Sequence, residues 1–255
     1  MAEIVSFYSY KGGVGRSLSL ANVAALLARR GRRVACIDFD LEAGGLHTIF
    51  GIEAADIRYT LLDLLVAIRP PDVSAAVINV SERLHLQTEG QLLLLPTVSE
   101  TDKVKKALGS SSDLLMLLGS IIDRVIYLYN PNYILIDSRS GFAELASASI
   151  LKADRLACVL RPNRQNAEGL RMLFDILEAL PNSPATFLVL SQVPDLPETT
   201  ARIEKLQDLI GPERKFGTLI PYSPHLALEE SVAAISSPDS ILAKAYAPIV
   251  DWMDV

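Results

Sequence analysis

The stretch "YKGGVGRS", Tyr10 to Ser17, decides how this chain is read. It holds glycine at 12, 13 and 15, cations at Lys11 and Arg16, and a closing hydroxyl at Ser17. The general phosphate-cradling pattern G-x-x-x-x-G-K-[ST] has the same outline, but it places lysine where this chain has Arg16. Context gives such a loop its meaning. An aliphatic run, "EIVSFY" (3–8), leads into it, and a helix-like stretch, "SLSLANVAALLARR" (17–30), leaves it. Strand, glycine loop and helix in that order bring free backbone N–H groups and the positive end of a helix dipole to one point. Glycine has no Cβ, so Gly12, Gly13 and Gly15 open the backbone of residues 12–18, Val14 and Leu18 included, to an anion. The alternative is a tight strand–helix turn that uses glycine for geometry alone. Lys11 and Arg16 weigh against it, because two cations crowded in one loop repel each other without an anion.

The rest of the chain supplies the frame. Further strand-like runs are "RVACID" (33–38), "LLLLP" (92–96), "YILID" (133–137), "RLACVL" (155–160) and "TFLVLSQ" (186–192). Helix-like stretches at 111–129, 166–180 and 198–210 fall between or after them. Strands alternating with helices predict an α/β fold with a mainly parallel, doubly wound sheet flanked by helices. Continuous apolar strands fit a sheet covered on both faces. The chain has 255 residues, 50% of them hydrophobic, enough to bury one large core, so 1–255 reads as a single domain. Region 51–90 is the least regular, and "RPPD" (69–72) must break any helix there.

Several classes drop out on composition. No apolar run reaches the roughly 18 residues a membrane span needs, and "MAEIVSFYSY" lacks the basic start of a signal peptide. Cys36 and Cys158 are far apart and form no C-x-x-C pair, so a zinc or iron–sulfur site within the chain is not expected. The net charge of −6 excludes the chain as a whole from binding polyanions. A reducing cytoplasm is the expected location.

Two more segments carry chemistry. In "CIDFDLEAGGL" (36–46), Asp38 and Asp40 stand two apart at a strand's end, so both can face the crevice where open sheets bind ligands. They can equally be two ordinary loop acids. Gly44 and Gly45 would let this segment move. In "YILIDSRSG" (133–141), an apolar strand ends in Asp137, the pattern of a carboxylate that holds Mg²⁺ through water.

Together these residues resemble a known family. "KGGVGRS", with lysine directly before two glycines, is similar to the deviant Walker A motif K-G-G-x-G-K-[ST] of the ParA/MinD superfamily of P-loop ATPases. More narrowly, "YSYKGGVGRSLSLANVAALLA" resembles a bacterial subgroup with arginine at this position. The resemblance implies a P-loop NTPase fold, ATP and Mg²⁺ as cofactors, and a homodimer formed around ATP. It implies catalytic roles for Lys11, Arg16 and Asp40. Lys11 would be the signature lysine that reaches the partner subunit's nucleotide, Arg16 would take the place of the ordinary Walker lysine, and Asp40 would orient the attacking water. Ser17, Asp38 and Asp137 would serve Mg²⁺. Residues 12–18 would cradle the phosphates, and Gln192, in "LVLSQVP" (188–194), stands where the family reads adenine, although it is as well read as a polar strand end. "GTLIPYSPHLALEES" (217–231) resembles the family's short strand and helix near the base. Arg139, where the family has a small residue or proline, is either a γ-phosphate sensor or one half of a structural ion pair.

The branches of the superfamily differ at their edges. The tail from 225 to 255 carries Glu229, Glu230, Asp239, Asp251 and Asp254 against Lys244 alone, which does not make a basic membrane-binding helix. "ARRGRR" places Arg29, Arg30, Arg32 and Arg33 at the end of the first helix. They could touch DNA phosphates, but capping and dipole compensation by arginine and Gly31 is the favoured reading. Two functions stay open: an Mg-ATPase that dimerises on ATP and uses hydrolysis as a timer for positioning, partitioning or regulation, and a nucleotide-gated module with negligible turnover that signals to a protein partner.

Overall fold

The computed structural model describes residues 2–86, 89–109, 114–211, 213–224 and 231–254. Its strands are β1 (Glu3–Tyr8), β2 (Arg33–Asp38), β3 (Ile78–Asn79), β4 (Gln91–Leu95), β5 (Tyr133–Asp137), β6 (Arg155–Leu160), β7 (Ala185–Val193) and β8 (Phe216–Pro221). The helices used below are α1 (Arg16–Arg29), α2 (Leu46–Ile49), α3 (Leu61–Val66), α4 (Thr101–Gly109), α5 (Leu114–Tyr129), α6 (Glu144–Lys152), α7 (Arg164–Glu178) and α8 (Thr199–Ile210). Three short helices, α9 (Ala233–Ser236), α10 (Ile241–Ala245) and α11 (Ala247–Met253), follow β8. All eight strands enter one sheet in the order β3-β4-β2-β5-β1-β6-β7-β8. Every pairing is parallel except the antiparallel edge β3–β4.

The central strands alternate between two buried faces, as period-2 geometry requires. Val5, Phe7, Val34, Cys36, Leu92, Leu94 and Leu135 pack with α1 and α11. Ala35, Ile37, Leu93, Leu95, Ile134 and Ile136 pack on the other side with α5. A third cluster joins β6 and β7 to α7 and α8. Strands covered on both faces read as unbroken apolar runs, so β1, β2, β5 and β6 fall on the residues expected from sequence. The helix expected at 17–30 runs Arg16–Arg29, and the one expected from 111 is seen from Leu114, with 111–113 outside the described residues. In region 51–90, α3 starts on a capping box between Thr60 and Asp63 and ends before Pro70 and Pro71. The helix expected late in 217–231 falls largely on 225–230, outside the described residues, whereas its strand is β8.

The four arginines of "ARRGRR" are held by the chain itself. Gly31 turns at φ +81°, a left-handed conformation that suits glycine after a helix. Arg29 donates to the Ala234 carbonyl, and Arg33 donates to the Asn130 carbonyl. Arg30 pairs with Asp251 at 2.7 Å and Asp254 at 3.2 Å, and Arg32 pairs with Asp254 at 3.1 Å. The Tyr133 hydroxyl donates to Asp254 as well, at 2.8 Å. The acids of the tail thus tie α11 to the end of α1. Burial alone would raise the Asp254 carboxyl, but the Tyr133 hydroxyl, Arg30 and Arg32 hold it below the usual aspartate range. A carboxylate depressed in the folded state contributes stability above its unfolded pKa and loses it as pH falls through the folded value. Asp254→Asn should therefore lower the urea midpoint at pH 7, by less than about 1 kcal/mol because the arginines are largely solvated. The difference from the parent should shrink as pH falls below the ordinary aspartate range, which denaturation across an acid series will measure.

Candidate functional site

The register of three strands builds the site. Phe7 of β1 and Asp38 of β2 both lie beside Asp137 of β5, so the ends of these strands stop in one row. Their loops open at the carboxyl edge where the connections diverge to either side, the switch point of a doubly wound sheet. A cleft of about 650 Å³ lies there, lined among others by Gly12, Gly13, Gly15, Arg16, Ser17, Leu18 and Asp40.

Local geometry forms the floor. Gly13 and Gly15 take positive φ (+68° and +86°), which a side-chain-bearing residue would adopt only with strain. A Cβ on Gly15 would also come within 3.1 Å of Ser191 Oγ. Val14 is buried in the core beneath, so the loop is pinned between two flexible glycines. Helix α1 begins directly after Gly15 with no side-chain cap and no acid in its first turn. Its first N–H groups therefore lack internal partners and face the cleft as donors for an anion.

At the back of the cleft is a cluster of buried charge. Arg16, 8% exposed, donates from Nε to Asp137 Oδ1 at 2.6 Å and from Nη2 to Asp40 Oδ2 at 3.0 Å. Its Nη1 reaches Ser9 Oγ at 3.4 Å. Burial works against the guanidinium's charge, yet the Asp137 and Asp40 carboxylates outweigh it and hold Arg16 more firmly protonated than usual. Asp38 is fully buried. Its Oδ2 accepts N–H groups from Gly45 at 3.0 Å and Leu46 at 3.1 Å, which ties the start of α2 to the strand end. Its Oδ1 is buried with no hydrogen-bond partner. Burial, and then the neighbouring Asp137 charge, push the Asp38 carboxyl well above the usual range. The Ser17 hydroxyl lies close enough to Asp137 to favour its charged form, which brings the expected metal residues together.

These residues fit Mg²⁺. An unpaired buried carboxylate oxygen is costly unless a cation or proton meets it, and Asp38 Oδ1 is such an atom. Among the described residues no group of three or more acids, histidines or cysteines is disposed to cage a metal unaided. That suits Mg²⁺, which uses one or two carboxylates, keeps waters and takes the remaining oxygens from phosphate.

Other expected residues have definite places. Lys11 is exposed, outside the cleft lining, with Nζ 5.3 Å from the centre of the Tyr10 ring. Gln192 lines the cleft at φ +56°, and its amide nitrogen donates to the Gly13 carbonyl at 3.3 Å. That bond supports the glycine loop from behind. Arg139 pairs with Glu42 at 2.5 Å, so of its two readings the ion pair is the one found. Arg161, Tyr222, Ser223 and Tyr246 also line the cleft. Sequence reading passed over Arg161 and Tyr246, because no short motif surrounds them and only the fold brings them to the site.

Comparison with known proteins agrees with this geometry. The AAA domain family matches residues 2–188. The septum site-determining protein MinD of Helicobacter pylori is 29% identical over 182 residues, 71% of this chain and 61% of that protein. The sporulation initiation inhibitor protein Soj of Bacillus subtilis is 24% identical over 205 residues, 76% of this chain and 72% of that protein. The chain belongs to the ParA/MinD superfamily of P-loop ATPases. Among solved structures, MinD of Pyrococcus horikoshii in complex with Mg-ADP superposes with a TM-score of 0.77 at 23% identity, covering 100% of this chain and 96% of that one. The aligned chain spans under two thirds of the Helicobacter relative's length. No helix among the described residues is long and apolar enough to cross a membrane.

One packing contact ties this loop to the body of the molecule. The Tyr10 ring lies directly on Gly169 of α7, where a Cβ would come within 2.0 Å of Tyr10 Cγ, and leans on Phe142 with centroids 5.6 Å apart. Gly169→Ala should cost about 1–3 kcal/mol by overpacking. In Tyr10→Ala the same substitution should cost little. Urea denaturation of the two single variants and the double variant measures this coupling, and equal costs in both backgrounds would contradict the contact.

Proposed function

We propose that residues 1–255 act as one Mg-ATP-binding domain that hydrolyses ATP slowly and uses a nucleotide-dependent homodimer as a molecular switch. The observation that carries this reading is the convergence of the glycine loop, the uncapped start of α1 and Ser17 on one cleft, with the buried Asp38–Asp137 pair behind it and joined to it by Arg16. The backbone of residues 12–18 would bind the phosphates, and Ser17, Asp38 and Asp137 would hold Mg²⁺. The metal, when bound, supplies positive charge against the phosphate oxygens. Arg16 would turn its fork-shaped guanidinium onto phosphate, to which it can bind bidentately. Asp40, which lines the cleft, would then be released to orient water in line with the γ-phosphate. Lys11, exposed and outside the lining of its own cleft, suits a contact made to a second copy's nucleotide. Support from relatives is the Mg-ADP named for the Pyrococcus horikoshii structure. An unidentified protein partner would read the dimer. DNA is not favoured, because the tail acids and backbone carbonyls engage the arginines at the end of α1.

One observation favours a second reading, a gated module with negligible turnover: arginine replaces lysine at 16 and is spread over two acids. Phosphate release separates the two readings, and only the first predicts measurable turnover. Calorimetry with ATP and ADP in Mg²⁺ should show binding. Absence of heat and of competition at about millimolar nucleotide, an affinity near 4 kcal/mol, would overturn both.

Two variants test the assigned roles. Asp40→Ala should bind ATP, lose turnover and keep the ATP dimer longer, as light scattering and phosphate release will show. Lys11→Ala should bind ATP yet stay monomeric, and a variant that dimerises like the parent would make Lys11 an ordinary contact within its own subunit.

A further inference from the structure

Of the three carboxylates at the strand ends, only Asp40 lines the cleft; Asp38 and Asp137 are buried at 0% and 1% exposure. Arg16 lines the cleft and donates directly to Asp137 behind it. Each of its three nitrogens has a partner, in Asp137, Asp40 and Ser9. A lysine ammonium is a point charge, and it would not span this arrangement as a planar guanidinium does.

We propose that Arg16 gates the metal site: without nucleotide its guanidinium acts as counter-cation to Asp137 and Asp40, and phosphate opens the carboxylates to a divalent cation by drawing the guanidinium away. The proposal rests on the nucleotide-site reading given above and adds an order of binding to it. Two cations cannot share these oxygens at close range. A divalent ion arriving alone must expel a buried guanidinium from both carboxylates at once, which is unfavourable. A nucleotide arriving first offers phosphate oxygens as the replacement partner, through the same paired hydrogen bonds. Its departure then exposes Asp137 and Asp40 together with the unpartnered Asp38 Oδ1. Metal affinity and nucleotide occupancy are thereby coupled through one side chain.

Mn²⁺ is the probe, followed as loss of the free-ion signal in electron paramagnetic resonance. The unmodified protein without nucleotide should leave Mn²⁺ free up to about 1 mM and, with ADP added, should take up one ion per chain beyond what ADP alone complexes. Arg16→Ala should bind Mn²⁺ without nucleotide at least about tenfold more tightly than the parent. Arg16→Lys, which keeps a charge but cannot span both acids, should fall between them. The proposal is overturned if the nucleotide-free parent binds Mn²⁺ as tightly as with ADP, or if folded Arg16→Ala binds it no better than the parent. Should Arg16→Ala fail to fold, the comparison of the parent with and without ADP decides. Calorimetry with nucleotide in EDTA is the separate check on the underlying reading. If no nucleotide binds, that reading fails, while the contrast between parent and variant in Mn²⁺ binding still tests the gate.

Discussion

Three carboxylates meet at the end of a sheet that excludes water, and one guanidinium stands among them. Everything distinctive about the cleft follows from that imbalance of charge. A parallel sheet ends its strands in register, so Asp38 and Asp137 are neighbours by construction and cannot be moved apart without slipping β2 against β5. Like charges this close and this buried disfavour ionisation, which is why the Asp38 carboxyl is raised and why it retains two backbone N–H donors from the start of α2. Arg16 offsets part of the charge by pairing with Asp137 and Asp40.

The same cluster joins the rigid and movable parts of the site. Asp38 holds the backbone of Gly45 and Leu46, Asp40 holds the N–H of Ala43, and Glu42 holds Arg139 of the loop after β5. The segment 40–46 is thus attached through carboxylates with charged or backbone partners as well as through Leu41 and Leu46 in the core. A change in charge at the cleft alters those attachments directly. The glycine loop, in contrast, is anchored by packing: Val14 in the core, Gly15 against Ser191, Gln192 on Gly13 and Tyr10 on Gly169. Packing anchors do not respond to phosphate, so the loop can serve as the fixed cradle.

Much of this was legible in the sequence, for physical reasons that vary by element. Strands buried on both faces leave unbroken apolar runs, so β1, β2, β5 and β6 could be read to the residue. The glycine loop was legible because its chemistry demands particular residue types within a few positions. Helix α6, "ELASASILK", escaped because alanine and serine leave little periodic contrast, and α4, "TDKVKKALG", escaped because it buries only Val104 and Ala107. The two-residue β3 is too short to show a period. Arg161 and Tyr246 were invisible as site residues, since the fold brings them to the cleft from distant positions. The sequence also left open whether Arg139 met a phosphate or an acid, because its partner Glu42 lies ninety-seven positions away.

Arginine at position 16 is where local rules and function diverge most. A helix N-terminus favours anions, and α1 opens instead with a buried cation. The placement makes sense only if negative charge is always near, supplied by Asp137 and Asp40 in one state and by phosphate in another. Lysine would meet the second need as a point charge, but it could not satisfy two carboxylates and a serine at once. The substitution therefore alters the nucleotide-free state more than the phosphate-bound one. It stabilises an arrangement of acids that, on the proposed gate, nucleotide would have to undo, and some binding free energy that could lower the barrier to hydrolysis would go into that rearrangement. On the proposed reading, slow turnover from a well-defined resting state would be the physical consequence of such a residue at the centre of the cluster.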